Sequence, residues 1–110
     1  MATIQLLSTS ELPSKVLQAR GPVVLDFYQA TCPPCRALEP RLERVARDYT
    51  GRIAVYRVDI DEDSTVAERF RINSLPTVLV LRDGAEAERL DGLVTEKQLR
   101  EAFERAARAI

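Results

Sequence analysis

Cys32 and Cys35 are the only cysteines in the 110-residue chain, and Pro33 and Pro34 stand between them. Thiols at i and i+3 of a first helical turn bring their Cβ atoms to about 5–6 Å. A disulfide needs about 3.5–4.5 Å between the same atoms, so a small adjustment closes the bond and its reversal opens it. A helix N-terminus also offers unpaired N–H groups and a favourable dipole. Both favour thiolate over thiol, and the thiolate is the nucleophile. A residue before proline is pushed out of the α region, so Cys32 and Pro33 are both expected to be extended, with the helix starting at Pro34. Cys32 then lies just ahead of the helix with its sulfur in reach of the Cys35 amide, while Cys35 is shielded within the first turn. On that geometry Cys32 attacks and Cys35 resolves. Two readings compete with this one: a pair of inert buried thiols, and part of a metal site. A structural zinc site takes four Cys or His ligands. The chain has two Cys and no His, so no metal site is expected.

Asp26 is the second candidate. It interrupts the apolar run Val23-Val24-Leu25-Asp26-Phe27-Tyr28. A carboxylate inside a buried strand resists ionisation, and its pKa is expected to rise. The competing reading is an Asp at a strand edge facing water. The acidic run Asp59, Asp61, Glu62 and Asp63 lacks the spacing and glycine of a calcium loop. It reads as a solvated loop leading into a helix.

The elements that must position these groups follow from periodicity and turn chemistry. Thr3 to Leu7 reads as a short strand. Ser8 with Glu11 matches a capping box, and Pro13 predicts a first helix that is split or starts late. After Gly21-Pro22, Val23 to Tyr28 reads as a strand buried on both faces apart from Asp26. Arg36 to Tyr49 carries Leu38, Leu42, Val45, Ala46 and Tyr49 at helical spacing, with a kink expected at Pro40. Ile53 to Val58 is the next strand and Ser64 to Phe70 a short helix. Thr77 to Leu81 and Ala87 to Leu90 flank Asp83-Gly84, a hairpin signal. Thr95 and Gln98 cap a last helix lined by Leu99, Ala102, Phe103, Ala106 and Ile110. The Glu/Arg-rich faces of the second and last helices read as solvent faces with i,i+4 pairs. Strands alternating with helices predict an α/β sheet with right-handed crossovers and an antiparallel edge from the closing hairpin.

Apolar residues make up 45% of the chain, enough for one domain spanning 1–110 with its own core. A net charge of −1 supplies no electrostatic case for nucleic acid or an anionic membrane. The N-terminal residues lack the pattern of a signal peptide, and no apolar run approaches the ~20 residues that span a bilayer. A reducing cytoplasm is the expected compartment, where a CxxC pair is redox-catalytic or metal-binding more often than structural.

Taken together and in order, Asp26-Phe27, Cys32-Pro33-Pro34-Cys35, Pro40, Asp59-Ile60-Asp61, Leu75-Pro76-Thr77, Asp83-Gly84 and Gly92 resemble the thioredoxin family, from about residue 22 to the C-terminus. The resemblance implies a thioredoxin fold, a central mixed sheet in the order 1-3-2-4-5 with the dithiol at the C-terminal end of the second strand. It implies a protein-disulfide reductase that needs no cofactor, acts as a monomer on disulfide-containing client proteins and is recharged by a thioredoxin reductase. It implies that Asp26 serves Cys35 as a general base through water. Pro76 corresponds to the family's cis-proline, and Ser74 to Pro76 would expose backbone for a substrate to pair with. Thr31, Pro33, Pro34, Leu75, Pro76 and Gly92 would form the substrate surface.

The chain also departs from the family pattern. Thr31 and Tyr28 stand where tryptophans are common, and Pro33 replaces a glycine, which stiffens the loop. Arg57 replaces a lysine; it either meets Asp26 and modulates its ionisation or extends its charge to solvent. Arg71 occupies a helix end where glycine is usual, with αL strain expected. These departures keep two alternatives in view: a binding subunit of the same fold with an incidental dithiol, and a thiol oxidant or isomerase.

Overall fold

A computed structural model describes residues 4–108. Strand β2 (Pro22–Tyr28) is the centre of a five-stranded sheet ordered β1-β3-β2-β4-β5. The other strands are β1 (Gln5–Leu6), β3 (Ala54–Asp59), β4 (Thr77–Arg82) and β5 (Ala85–Asp91). The pairs β1–β3 and β2–β3 are parallel, while β2–β4 and β4–β5 are antiparallel. This is the mixed sheet of a thioredoxin fold. Helices α1 (Pro33–Asp48), α2 (Ser64–Arg69) and α3 (Glu96–Arg108) complete it.

The alternation along β2 builds two cores. Val24 packs with Val78 and Val80 against Leu38, Leu42 and Val45 of α1 and Leu99 and Phe103 of α3. Leu25 and Phe27 point the other way, onto Val16, Val58 and Val66. Each fully buried Leu or Phe of these sets contributes about 1.5–3 kcal/mol, and together they hold the dithiol-bearing end of α1 against β2. By the same alternation, Asp26 lies on the α1 side of the sheet.

Several expected boundaries shift. Among the described residues the first strand is only Gln5–Leu6, and Thr3 lies outside them, as does Ile110. The first helix is split: a 3-10 turn at Thr9–Glu11 is followed by a π-helical turn at Pro13–Leu17, which keeps Pro13 at a start, where no N–H is needed. Helix α1 begins at Pro33, not Pro34, and continues through Pro40. Strand β5 begins at Ala85, two residues earlier than its apolar pattern indicates. Asp83 and Gly84 both have positive φ, 51° and 83°, and turn the chain so tightly that Arg82 pairs at once with Ala85. A register shift near Val80 and Leu81 absorbs the extra residue. Gly84 is required for a second reason, because a Cβ there would collide with the carbonyl oxygen of Leu17.

The charged face of α1 is not solvent alone. Arg44 pairs with Glu96 of α3 at 2.8 Å, Arg100 reaches Asp48 at 2.7 Å, and Glu39 pairs with Arg57 of β3. Such charges interact across elements because α1 and α3 pack side by side on the same face of the sheet. Arg71 has φ 54°, the left-handed region its helix-end position imposes, and a side chain there carries modest strain. Asp63 caps α2, accepting from the Thr65 amide at 3.3 Å and from the Thr9 amide at 2.6 Å.

Candidate functional site

Cys32 is the N-cap of α1, in extended backbone at φ −93° and ψ 108°. Its sulfur is bonded to Cys35, with 5.2 Å between the two Cα atoms. The Cys35 amide donates to Cys32 Sγ at 3.3 Å, and the Arg36 amide to the Cys32 carbonyl at 3.1 Å. A helix start leaves about four N–H groups free. Pro33 and Pro34 remove two of them, so the Cys35 amide is the donor left for the sulfur. Pro33 is helical although a proline follows it. The helical turn closes both Cys35 and Arg36 amides onto Cys32, which outweighs a preference that is only a bias. Cys32 is half-buried with Thr31, Pro33 and Pro34 exposed around it, and Cys35 is buried at 1% exposure.

Strand register sets the rest. In the parallel pair β2–β3, Asp26 lies directly beside Arg57. Arg57 Nε donates to Asp26 Oδ2 at 3.2 Å, with the Arg57 side chain 16% exposed and Asp26 1%. The guanidinium therefore turns inward rather than out to solvent. It stacks on Tyr28 with its carbon 3.7 Å from the ring centroid, and it also pairs with Glu39. Asp26 Oδ1 has no hydrogen-bonding partner among the described residues. Burial pushes the Asp26 carboxyl up from its ordinary 3.8 to about 6; the Arg57 charge and hydrogen bond pull it down, and the Glu39 charge adds to the rise. Burial wins, so the carboxyl exchanges a proton not far below neutral pH.

The antiparallel pair β2–β4 sets Phe27 opposite Thr77. Leu75 and Pro76 therefore arrive at the edge of the sheet from which the chain leaves β2 toward Cys32. The Leu75–Pro76 peptide bond is cis. Asp91 pairs with Thr77, and the Gly92 amide donates to the Pro76 carbonyl at 2.8 Å, which brings Gly92 to the same edge. Leu75 and Gly92 are half-buried and Pro76 is buried. The Thr77 hydroxyl donates to the Ser74 carbonyl at 2.7 Å. With the Ser74 and Pro76 carbonyls engaged, the backbone of Leu75 is the part of this segment open to a partner.

Three features of the site were not singled out by sequence reasoning. A cleft of about 280 Å³ beside the dithiol is walled by Cys35, Arg57, Glu39 and Tyr28, with Gln29 and Arg36 at its sides. Glu39 lies one helical turn beyond Cys35, and that i+4 spacing was its available signal. Leu93, 44% exposed beside Gly92, is an apolar side chain next to the same edge. Nothing in its sequence neighbourhood sets it apart. Among the described residues no group of three or more potential ligands is placed to hold a metal, and no helix is long and apolar enough to cross a membrane.

The family model for thioredoxin matches residues 3–105 of the chain. The chain is similar to thioredoxin M4, chloroplastic, of Arabidopsis thaliana, at 34% identity over 90% of this chain and 51% of that protein. It is similar to the mitochondrial thioredoxin of Bos taurus, at 34% identity over 92% of this chain and 60% of that protein. It is similar to thioredoxin 1 of Nostoc sp., at 30% identity over 96% of this chain and 98% of that protein. The chain thus spans 51–60% of the length of the two organellar relatives and nearly all of the third.

Proposed function

The chain belongs to the thioredoxin family, and from that premise we propose that it is a thiol–disulfide oxidoreductase that reduces disulfides of client proteins. The observation that carries this reading is the closed Cys32–Cys35 pair at the start of α1, with one sulfur-bearing residue half-buried and the other buried. In the reduced enzyme the Cys32 thiolate attacks one sulfur of a client disulfide. The Cys32–client bond forms, the client S–S bond breaks, and the second client sulfur leaves as a thiolate that takes a proton. Cys35 then gives its proton to Asp26, and its thiolate attacks Cys32 Sγ. The Cys32–Cys35 bond forms and the first client sulfur leaves. Two electrons have passed from the dithiol to the client.

Thr31, Pro33, Pro34, Leu75, Pro76 and Gly92 form the surface on which the client lies, pairing its backbone with that of Leu75. Leu93 extends this surface with apolar area that Thr31 does not supply. A thioredoxin reductase recharges the disulfide, and the cytoplasm, where such recharging is available, is the compartment of this reading. Buried Asp26 with a carboxyl near pH 6 supports its role as the acceptor.

A Cys35→Ser variant tests the reading. Attack by a residue held in the same turn has an effective concentration of about 10⁵ M or more. Its loss is expected to make the Cys32–client bond at least about 10³-fold longer-lived, so covalent complexes accumulate on non-reducing gels with the variant and not with wild type. Equal, non-covalent recovery of partners by both proteins would instead assign the chain to the class of binding subunits.

A further inference from the structure

We propose that Glu39 is a positioning residue of the dithiol site, which shares the Arg57 guanidinium with Asp26 and thereby sets the pH at which that buried carboxylate gives and takes its proton. The proposal rests on reading Asp26 as the proton acceptor for Cys35.

Arg57 has one charge and two carboxylates. Its Nε faces Asp26 Oδ2 at 3.2 Å, and its Nη1 faces Glu39 Oε2. Stacking on the Tyr28 ring, 3.7 Å from the guanidinium carbon, restricts the plane in which both contacts are made. The two carboxylates differ in their surroundings: Glu39 is 40% exposed at the cleft, and Asp26 is 1% exposed. Glu39 stays in contact with water, while the buried Asp26 has the guanidinium on one oxygen and, among the described residues, no partner on the other. Glu39 thus does two things. Its oxygen holds Arg57 in place, and its charge uses part of the cation that Asp26 would otherwise have to itself.

The other groups around Asp26 are few. From β3 the facing charge is Arg57, and from α1 it is Glu39, with Arg36 at the side of the cleft donating to the Ala30 carbonyl; the titratable Cys35 thiol on α1 and Tyr28 phenol on β2 line the same cleft. Strand β4 sets apolar Val78 opposite Asp26. Asp59 is near Tyr28 and acts on that phenol. In the oxidised protein neither cysteine titrates, so the Asp26 carboxyl is observed alone.

The test is a carboxyl ¹³C NMR titration of Asp26 in the oxidised full chain, for wild type, Glu39→Gln and Glu43→Gln. Glutamine keeps an oxygen for Arg57 and removes the charge. Glu43 lies one turn further along α1 and serves as the control for any loss of negative charge. The Asp26 midpoint is expected to fall by about half a pH unit in Glu39→Gln, and by clearly less in Glu43→Gln. The pH profile of client release from Cys32 is expected to move in the same direction. An unchanged or higher midpoint in Glu39→Gln, or an equal fall in both variants, overturns the proposal. Because the titration needs no turnover, that outcome is separate from failure of the reductase reading, which is seen as wild type that does not reduce a client disulfide.

Discussion

Replacing Cys32 by serine is expected to bring insulin-disulfide reduction in the presence of dithiothreitol down to the rate of dithiothreitol alone, a loss of about three orders of magnitude or more. The size of the effect follows from the geometry. A serine hydroxyl at the N-cap of α1 stays protonated where a thiol ionises, and it cannot form the disulfide that completes the cycle. Cys35 cannot take over the attack, since it is 1% exposed. The Cys35 amide still has an oxygen to donate to in the variant, and serine is a preferred N-cap, so the fold is expected to persist. Unfolding measured beside the turnover assay separates loss of chemistry from loss of structure. A Cys32→Ser protein that turns over like wild type would remove Cys32 from the mechanism.

The second large effect concerns stability. Asp26 carries a carboxyl at about 6 in the fold against an ordinary 3.8. Between those values the folded state binds more protons than the unfolded one, so stability falls as pH rises through the window. The contribution is fully present below about pH 4 and lost above about pH 6. At about 1.4 kcal/mol per unit, ionised Asp26 costs about 3 kcal/mol above that window. Asp26→Asn keeps the shape and removes the charge. In the oxidised protein it is expected to be more stable than wild type by up to about 3 kcal/mol at pH 8, and the advantage is expected to vanish toward pH 4. Arg57 retains Glu39 and Tyr28 as partners in the variant, which limits the compensating loss. The same variant is expected to resolve mixed disulfides at least about tenfold more slowly at neutral pH, because Cys35 has lost its acceptor. Denaturant unfolding across pH checks the first expectation. An Asn variant less stable than wild type at pH 8 would mean that the Arg57 pair outweighs the burial of Asp26.

Much of this site is legible in the amino-acid sequence. Two cysteines at i and i+3, behind an apolar strand and ahead of an amphipathic helix, already specify a dithiol at a strand-to-helix junction. Asp83-Gly84 specifies the hairpin because only a turn with positive φ serves there, and Thr95 with Gln98 specifies the start of α3. The remainder depends on neighbours distant in sequence. Asp26 meets Arg57 because the crossover through α1 sets a parallel register, which no local pattern encodes. Glu39 reads as surface until β3 is placed beneath it. Pro33 enters the helix against the local bias because two amides close onto Cys32, a gain visible only once the turn is formed. The start of β5 is hidden because Ala85 and Glu86 are shaped by the hairpin and not by an apolar alternation.

Chemical exchange at one dithiol is the central claim, and it is tested most directly by a stoichiometric reaction without dithiothreitol. Fully reduced protein is mixed with excess insulin, and both products are followed by non-reducing peptide mapping. One insulin disulfide is expected to be reduced per chain, with Cys32 and Cys35 recovered joined to each other in a single peptide. Cysteines recovered as free thiols, or no insulin disulfide reduced, would contradict it.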